Sequence, residues 1–333
     1  MNIAIIFGGK SAEHEVSLRS ARSILDALDD QFNPILIGIS KKGEWFLCDK
    51  IPNDQVTEGR SEVNLSPGKG LLNVDVAFPV LHGPNGEDGT IQGLFRMMDI
   101  PFVGPGVLGS STAMDKEVSK ILLKSKKIPV VDWISFKDEV SVEDVEEKFD
   151  YPVFVKPANL GSSVGVSKAK NREELMEATD KAFEYDEKII VERAIDGKEL
   201  ECSVLGNLNP KASIIGEIRP DDFYSYEEKY SDNSNTELLV PADISKELQK
   251  RLQKLAVRAF KANMCEGMAR VDFLVENQKI YVNELNTIPG FTNISMYPKL
   301  WEESGLDFSD LVTELIRLAV DRHDRRKKLK TTY

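Results

Sequence analysis

Short apolar runs alternate with amphipathic stretches along the first part of the chain. NIAIIF (Asn2–Phe7) is almost wholly apolar and of strand length. GGKSAEHEVSLRSARSILDALDD reads as a glycine turn opening an amphipathic helix. PILIGIS and VDVAFPVLHG read as further strands, and TIQGLFRMMD as a second helix. Apolar runs bounded by turn signals predict buried strands. Their β-α-β-α order predicts a parallel sheet with its ligand edge at the carboxyl ends of the strands. An α/β N-terminal domain is placed at residues 1–100.

A connector rich in Gly, Pro and Ser, IPFVGPGVLGSSTAMDK, leads to an amphipathic helix expected from about Met114 to Lys127. YPVFVKP, SSVGVSKAK, NREELMEATDKAFEY and KIIVERAI then read strand, strand, helix, strand, an α+β unit within 101–191. ELECSVLG, KASIIGEI, the helix ISKELQKRLQKLAVRAFKANM and the pair RVDFLVEN and KIYVNELN predict a mainly antiparallel sheet with helices in 192–333. The last pair is expected to be a hairpin turning at Asn277-Gln278. LDFSDLVTELIRLAVDRH and a basic tail, RRKKLK, close the chain. Between two strands of this unit and its long helix lies RPDDFYSYEEKYSDNSNTELLVPAD, polar and aperiodic. Segments of this kind in compact domains are often lids or binding loops. Its cluster of Phe223, Tyr224, Tyr226 and Tyr230 argues against disorder, which is aromatic-poor.

The 333 residues suffice for two or three domains, and the net charge of −12 argues against a nucleic-acid binder with a broad basic surface. A small anionic substrate stays compatible with that charge, because a few lysines and a bound cation create local positive potential. No apolar run reaches the length of a membrane span, and the N-terminus lacks the marks of a signal peptide. Three widely spaced cysteines, Cys48, Cys202 and Cys265, form no zinc or disulfide pattern, so a reduced cytoplasm is the expected compartment.

The candidate chemistry sits in a few loops and one hairpin. VKPANLGSSVGVS (Val155–Ser167) is a loop of small residues between strands, of the texture that touches phosphate, yet it fits neither the P-loop nor the dinucleotide pattern. GGKS at Gly8–Ser11 is no P-loop either, since Ala4 stands where the first glycine belongs. Glu13, in the first turn of the helix that follows, could compensate the helix dipole or grip a substrate ammonium. In HGPNGEDGTIQG, dense glycines imply close backbone approach. His82 there could be structural or catalytic, and Glu87 and Asp88 could be helix caps. Arg270 and Asp272 share a strand face in RVDF, as do Glu284 and Asn286 in NELN. If those strands pair, an oxygen-rich set suited to Mg²⁺ converges beside an arginine. Lys156 closes an apolar strand and needs a partner, for which nucleotide phosphate is one candidate. Lys116 is a second phosphate candidate.

Taken together, GGKSAEHEVS, HGPNGEDGTIQG, VKPANLGSSVGVS, FYSYEEKY, RVDF and NELNTIPGFT, in that order, resemble the ATP-grasp enzymes. Within them the chain resembles the D-alanine–D-alanine ligase family over nearly its whole length. The resemblance implies an α+β two-part ATP-grasp clamp behind the N-terminal domain. Its central subdomain would span 101–191, and 192–333 would carry the catalytic and metal site. It implies ATP-dependent joining of two D-alanines through an acyl phosphate, for peptidoglycan precursors. By resemblance, Glu13 and His82 would bind substrate, and Ser162 would link Glu13 to Tyr230. Lys116, Lys156, Ser162, Ser163, Glu192, Ala194, Ile195, Glu199, Tyr224 and Lys229 would bind ATP. Asp272, Glu284 and Asn286 would hold two Mg²⁺ ions, with Mn²⁺ as a substitute. Arg270 and the Gly290 N–H would form the oxyanion site, and Ser295 would take the second substrate's carboxylate. A homodimer is implied, with no nucleic-acid or membrane partner. Ligases joining D-Ala to D-Ser or D-lactate, ligases for other amino acids, and a nucleotide-binding protein without catalysis are the alternatives.

Overall fold

The computed structural model describes residues 1–65, 71–219 and 237–330. In the first part β1 (Asn2–Gly8), β2 (Asn33–Ile39), β3 (Trp45–Cys48), β4 (Ser61–Glu62) and β5 (Val76–Pro79) form one sheet in the order β4-β3-β2-β1-β5. β1 pairs with β2 and β5 in parallel, as expected from the β-α-β-α order, while β3 and β4 add antiparallel strands at one edge. The sheet is therefore mixed rather than parallel throughout. Its two added strands are short and carry no clear alternation, so the hydrophobic pattern does not announce them.

β1 shows how one run serves two cores. Ile3, Ile5 and Phe7 join the cluster on one face, with Leu18, Ala21 and Ile24 of α1 (His14–Asp26). Ala4 and Ile6 point to the other face, against Ile91 and Phe95 of α2 (Thr90–Met97). This is the period-two alternation of a strand covered on both sides.

The connector holds α3 (Val107–Met114) and α4 (Lys116–Ser125), where one helix from Met114 was expected. Asp115 separates them: its backbone is extended, and its carboxylate accepts from the Val118 N–H at 3.0 Å as the N-cap of α4. A four-stranded antiparallel sheet follows, in the order β6-β9-β7-β8, from β6 (Trp133–Lys137), β7 (Val153–Pro157), β8 (Ser167–Ala169) and β9 (Lys188–Arg193). It packs on α5 (Val142–Lys148) and α6 (Arg172–Phe183) through Val145, Leu175, Ala178 and Ala182.

The last sheet runs β12-β11-β10-β13-β14, all antiparallel. Its strands are β10 (Lys198–Gly206), β11 (Lys211–Arg219), β12 (Glu237–Leu239), β13 (Gly267–Glu276) and β14 (Lys279–Asn286). Leu252, Ala256, Ala259 and Phe260 of α7 (Lys246–Ala262) bury against it. β13 and β14 form the expected hairpin, and Asn277 and Gln278 both take positive φ, 48° and 66°, the pairing a type I′ turn demands. α8 (Met296–Glu302) and α9 (Phe308–Lys327) follow. Leu311, Leu315 and Ile316 of α9 join Ile3, Ile5 and Phe78, so the C-terminal helix covers the first sheet. Among the described residues no helix is long and apolar enough to cross a membrane.

Candidate active site

Four segments meet at the carboxyl edge of the first sheet: the turn after β1, the loop after β5, the loop between β7 and β8, and the loop after β14. Gly8 makes the first turn possible. Its φ is +89°, and a Cβ there would stand 2.3 Å from the Ile39 carbonyl oxygen, so only glycine fits. Glu13 is then the N-cap residue of α1 and is 8% exposed.

The β7–β8 loop is built on a tight reversal. Val164 N–H donates to the Gly161 carbonyl at 3.1 Å, and Ser162 and Ser163 between them have φ of 50° and 59°. Two consecutive left-handed non-glycine residues are costly, and such strain concentrates at functional sites. The conformation aims the Ser162 hydroxyl at Glu13, to whose Oε1 it donates. Two residues earlier, the Leu160 carbonyl accepts from the Lys116 ammonium. Lys116 also lies 3.4 Å from Glu284 Oε2.

On the β13–β14 hairpin Arg270 stands opposite Asn286, and Asp272 opposite Glu284. Arg270 holds Asp272 with two bonds of 2.7 Å and reaches Glu201 at 3.1 Å. Asn286 donates to Asp272 Oδ2 at 2.8 Å. Burial pulls against the Arg270 charge, but Asp272, Glu201 and Glu284 outweigh it and hold its pKa well above the ordinary arginine value. Facing carboxylates repel, and these two are compensated by Arg270 and Lys116. Two carboxylates and an amide oxygen are hard donors of the kind Mg²⁺ takes. No group of three or more His, Cys, Asp or Glu able to hold a metal occurs among the described residues. Three protein donors leave the rest of a Mg²⁺ shell to phosphate oxygens and water.

Lys156, next to last in β7, has its ammonium 2.6 Å from Glu192 Oε2 and 3.4 Å from Asn283 Oδ1. The other carboxylate oxygen, Oε1, faces Lys120 Nζ at 2.5 Å, an ion pair rather than a well-directed hydrogen bond. Burial alone would raise the Glu192 carboxyl, yet Lys120 and Lys156 pull it down to about 2. Burial likewise opposes the Lys156 charge, but Glu192, Glu284 and Glu199 overcome it, and its pKa lies above the ordinary lysine value. Ala194 and Ile195 follow the end of β9, and Glu199 lies on β10 opposite Leu274 and Ile218.

His82 is 4% exposed; its Nδ1 pairs with the Ile288 carbonyl at 2.8 Å and its Nε2 with Ser20 Oγ at 3.3 Å. Glu87 is no helix cap, since Gly89 occupies that position. Its carboxylate accepts from Gly83 N–H at 3.0 Å and Ile288 N–H at 2.7 Å, tying the loops after β5 and β14 together. Burial, with the charge of Glu13 adding to it, pushes its pKa above the usual carboxylate range. Asp88 makes local bonds to Asn85 and Thr90 N–H. Gly290 stands over Ser295, whose Oγ would lie 3.0 Å from a Cβ at 290 and is bonded to Thr292. Tyr224, Lys229 and Tyr230 lie outside the described residues.

Three contributors escape a reading of the sequence alone. Lys120 follows Lys116 by four residues on α4 and so shares its face, a signal that was available. Glu201 follows Glu199 by two and shares its strand face. The bracing role of Glu87 depends on a loop two hundred residues away, and no local pattern carries it.

A family model described as the D-ala D-ala ligase N-terminus matches residues 2–105, and one described as the D-ala D-ala ligase C-terminus matches 122–317. The chain is 47% identical to the D-alanine--D-alanine ligase of Shouchella clausii, covering 99% of this chain and 97% of that one. Among solved structures it is similar to the D-alanine-D-alanine ligase from Coxiella burnetii, with a TM-score of 0.87, 37% identity, and 98% and 96% of the two chains covered. It is also similar to the VanG D-Ala:D-Ser ligase from Enterococcus faecalis, with a TM-score of 0.86, 37% identity, and 96% and 99% covered.

Proposed function

The chain belongs to the D-alanine–D-alanine ligase family, and from that premise we propose that it joins two D-alanines at the expense of ATP, supplying D-alanyl-D-alanine for peptidoglycan. The observation that carries this reading is the double grip of the β7–β8 loop. Its Leu160 carbonyl holds the phosphate-side Lys116, and its Ser162 hydroxyl holds the substrate-side Glu13. One loop thus couples nucleotide and amino acid.

A carboxylate is a poor electrophile until one of its oxygens becomes a good leaving group. In this reading Lys116 and Lys156 bind ATP phosphates, and Glu13 takes the ammonium of the first D-alanine, turning its carboxylate toward them. Phosphorylation gives an acyl phosphate and ADP, and the uncharged amine of the second D-alanine attacks its carbonyl carbon. Collapse of the tetrahedral adduct breaks the bond to phosphate, which leaves as the amine loses a proton and the dipeptide forms. Arg270 and the Gly290 N–H stabilise the charge that develops on the tetrahedral oxygen. Ser295 and His82 serve the second substrate and the loop that binds it. Ala194, Ile195 and Glu199, with Ser163 and Glu192, complete the nucleotide side. Asp272, Glu284 and Asn286 would hold Mg²⁺, which when bound neutralises phosphate charge. Tyr224, Lys229 and Tyr230 belong to the same reading by resemblance. A division at 1–100, 101–191 and 192–333 and a cytoplasmic location, expected from the sequence, and a homodimer, implied by the resemblance, belong to it as well.

The test is phosphate release with ATP, Mg²⁺ and D-alanine, with D-alanyl-D-alanine identified as product. Release with D-alanine but not L-alanine is expected. No release, or release with L-amino acids only, contradicts the reading. D-serine and D-lactate as competing second substrates measure the preference of the second site.

A further inference from the structure

Glu192 holds two lysines where Lys156 alone would need one. It lies on β9, in register with Trp133 on β6 and Phe154 on β7. Lys156 comes from β7, two residues past Phe154. Lys120 comes from α4, one turn after Lys116. The two lysines differ in access: the side chain of Lys120 is 2% exposed and that of Lys156 is 15% exposed. Lys120 lies also beside the Trp133 ring, 5.9 Å from its centroid. Lys156 is therefore the one that can meet a ligand, while Lys120 is closed off from solvent.

Burying an ammonium this completely is costly. What Lys120 supplies in return is geometric. The terminal torsion of a glutamate is broad and weakly held. A carboxylate anchored at one oxygen can rotate, whereas one anchored at both cannot. With Oε1 held by Lys120, Oε2 is a fixed point, and Lys156 is fixed by it.

We propose that Lys120 is a positioning residue for nucleotide binding: it locks the Glu192 carboxylate, which in turn sets where the Lys156 ammonium stands to meet phosphate. This rests on the phosphate role given above to Lys156. The charges agree with it. Burial, reinforced by Lys156, lowers the Lys120 pKa against the pull of Glu192, while Lys156 is held above the ordinary value and keeps its charge securely. Helix α4 thereby places one lysine against Glu284 and the next, a turn later, against Glu192.

The test is the affinity of the full chain, Lys120→Met and Lys156→Met for Mg-ATP and for adenosine, by calorimetric titration. Lys120→Met is expected to weaken ATP binding by about tenfold or more, and adenosine binding by a clearly smaller factor, a decade being about 1.4 kcal/mol. Equal weakening of both ligands, as general damage would give, or unchanged ATP affinity overturns the proposal. If Lys156→Met also leaves ATP affinity unchanged, the phosphate role of Lys156 falls with it. If Lys156→Met weakens ATP and Lys120→Met does not, only the positioning role falls. Should Lys120→Met fail to fold, Lys120→Gln, which removes the charge but keeps a polar N–H group, is titrated instead. A Lys120→Gln affinity for ATP between those of the unaltered chain and Lys156→Met, with adenosine weakened by a smaller factor than ATP, supports the proposal. An ATP affinity equal to that of Lys156→Met, or equal loss of ATP and adenosine, overturns it.

Discussion

At the scale of single residues, charge compensation decides what a substitution does. Arg270 answers both Asp272 and Glu201. Arg270→Ala should lower kcat by about a hundredfold or more, the size of a lost oxyanion donor, while ATP still binds; unchanged turnover would remove the oxyanion role. It should also cost stability, because buried Glu201 and partly buried Asp272 lose their counter-ion. Glu192 makes the sharper pH prediction. Its folded pKa is depressed to about 2, so its contribution is present above the unfolded carboxylate value of about 4.3 and is lost as pH falls through the folded value. Glu192→Gln should therefore be less stable at pH 7 by on the order of 3–5 kcal/mol, the cost of breaking a buried pair. In urea titrations from pH 7 to pH 3 that gap should narrow. A gap that stays constant or widens would contradict the ion-triad account.

At the scale of elements, the loops at the first sheet's edge depend on particular backbone conformations. Gly8→Ala would force a side chain into a positive φ and against the Ile39 carbonyl. It should lower stability by at least about 1–2 kcal/mol, seen as a reduced Tm; an unchanged Tm would show that the turn can rearrange. Ser162→Ala removes the tie between the β7–β8 loop and Glu13. It should lower kcat/KM for D-alanine by about tenfold or more, since hydrogen bonds to charged groups contribute about 1.5–3 kcal/mol. What could be read in advance follows element length. β1, α7 and the β13–β14 hairpin declare themselves through long runs, clear periodicity and a tight turn. β3, β4, β6, α3 and α5 are short, and the small residues of α3 give no amphipathic stripe. The facing of Asp272 and Glu284 follows from strand period plus hairpin pairing. The Lys120–Glu192 and Glu87–Ile288 contacts join segments far apart in sequence, which periodicity alone cannot pair.

At the scale of the whole molecule, the site is held by contacts between distant parts of the chain. Ile288 and Phe291, from the loop after β14, share a core with β1 and β5, and His82 and Glu87 bond the backbone of Ile288. The loop after β14 is thereby fixed to the sheet that presents Glu13. Relatives named for D-Ala:D-Ala and for D-Ala:D-Ser ligation are equally identical to the chain among the two solved structures, at 37% each, so the fold as a whole does not set the second substrate. The proposed reaction requires activation of the first carboxylate by phosphate. The most direct measurement uses D-alanine labelled with ¹⁸O in its carboxylate, ATP and Mg²⁺, with mass spectrometry of the products. The account predicts D-alanyl-D-alanine together with one ¹⁸O in each released phosphate, carried there when the acyl phosphate breaks. Dipeptide formed with unlabelled phosphate would contradict it.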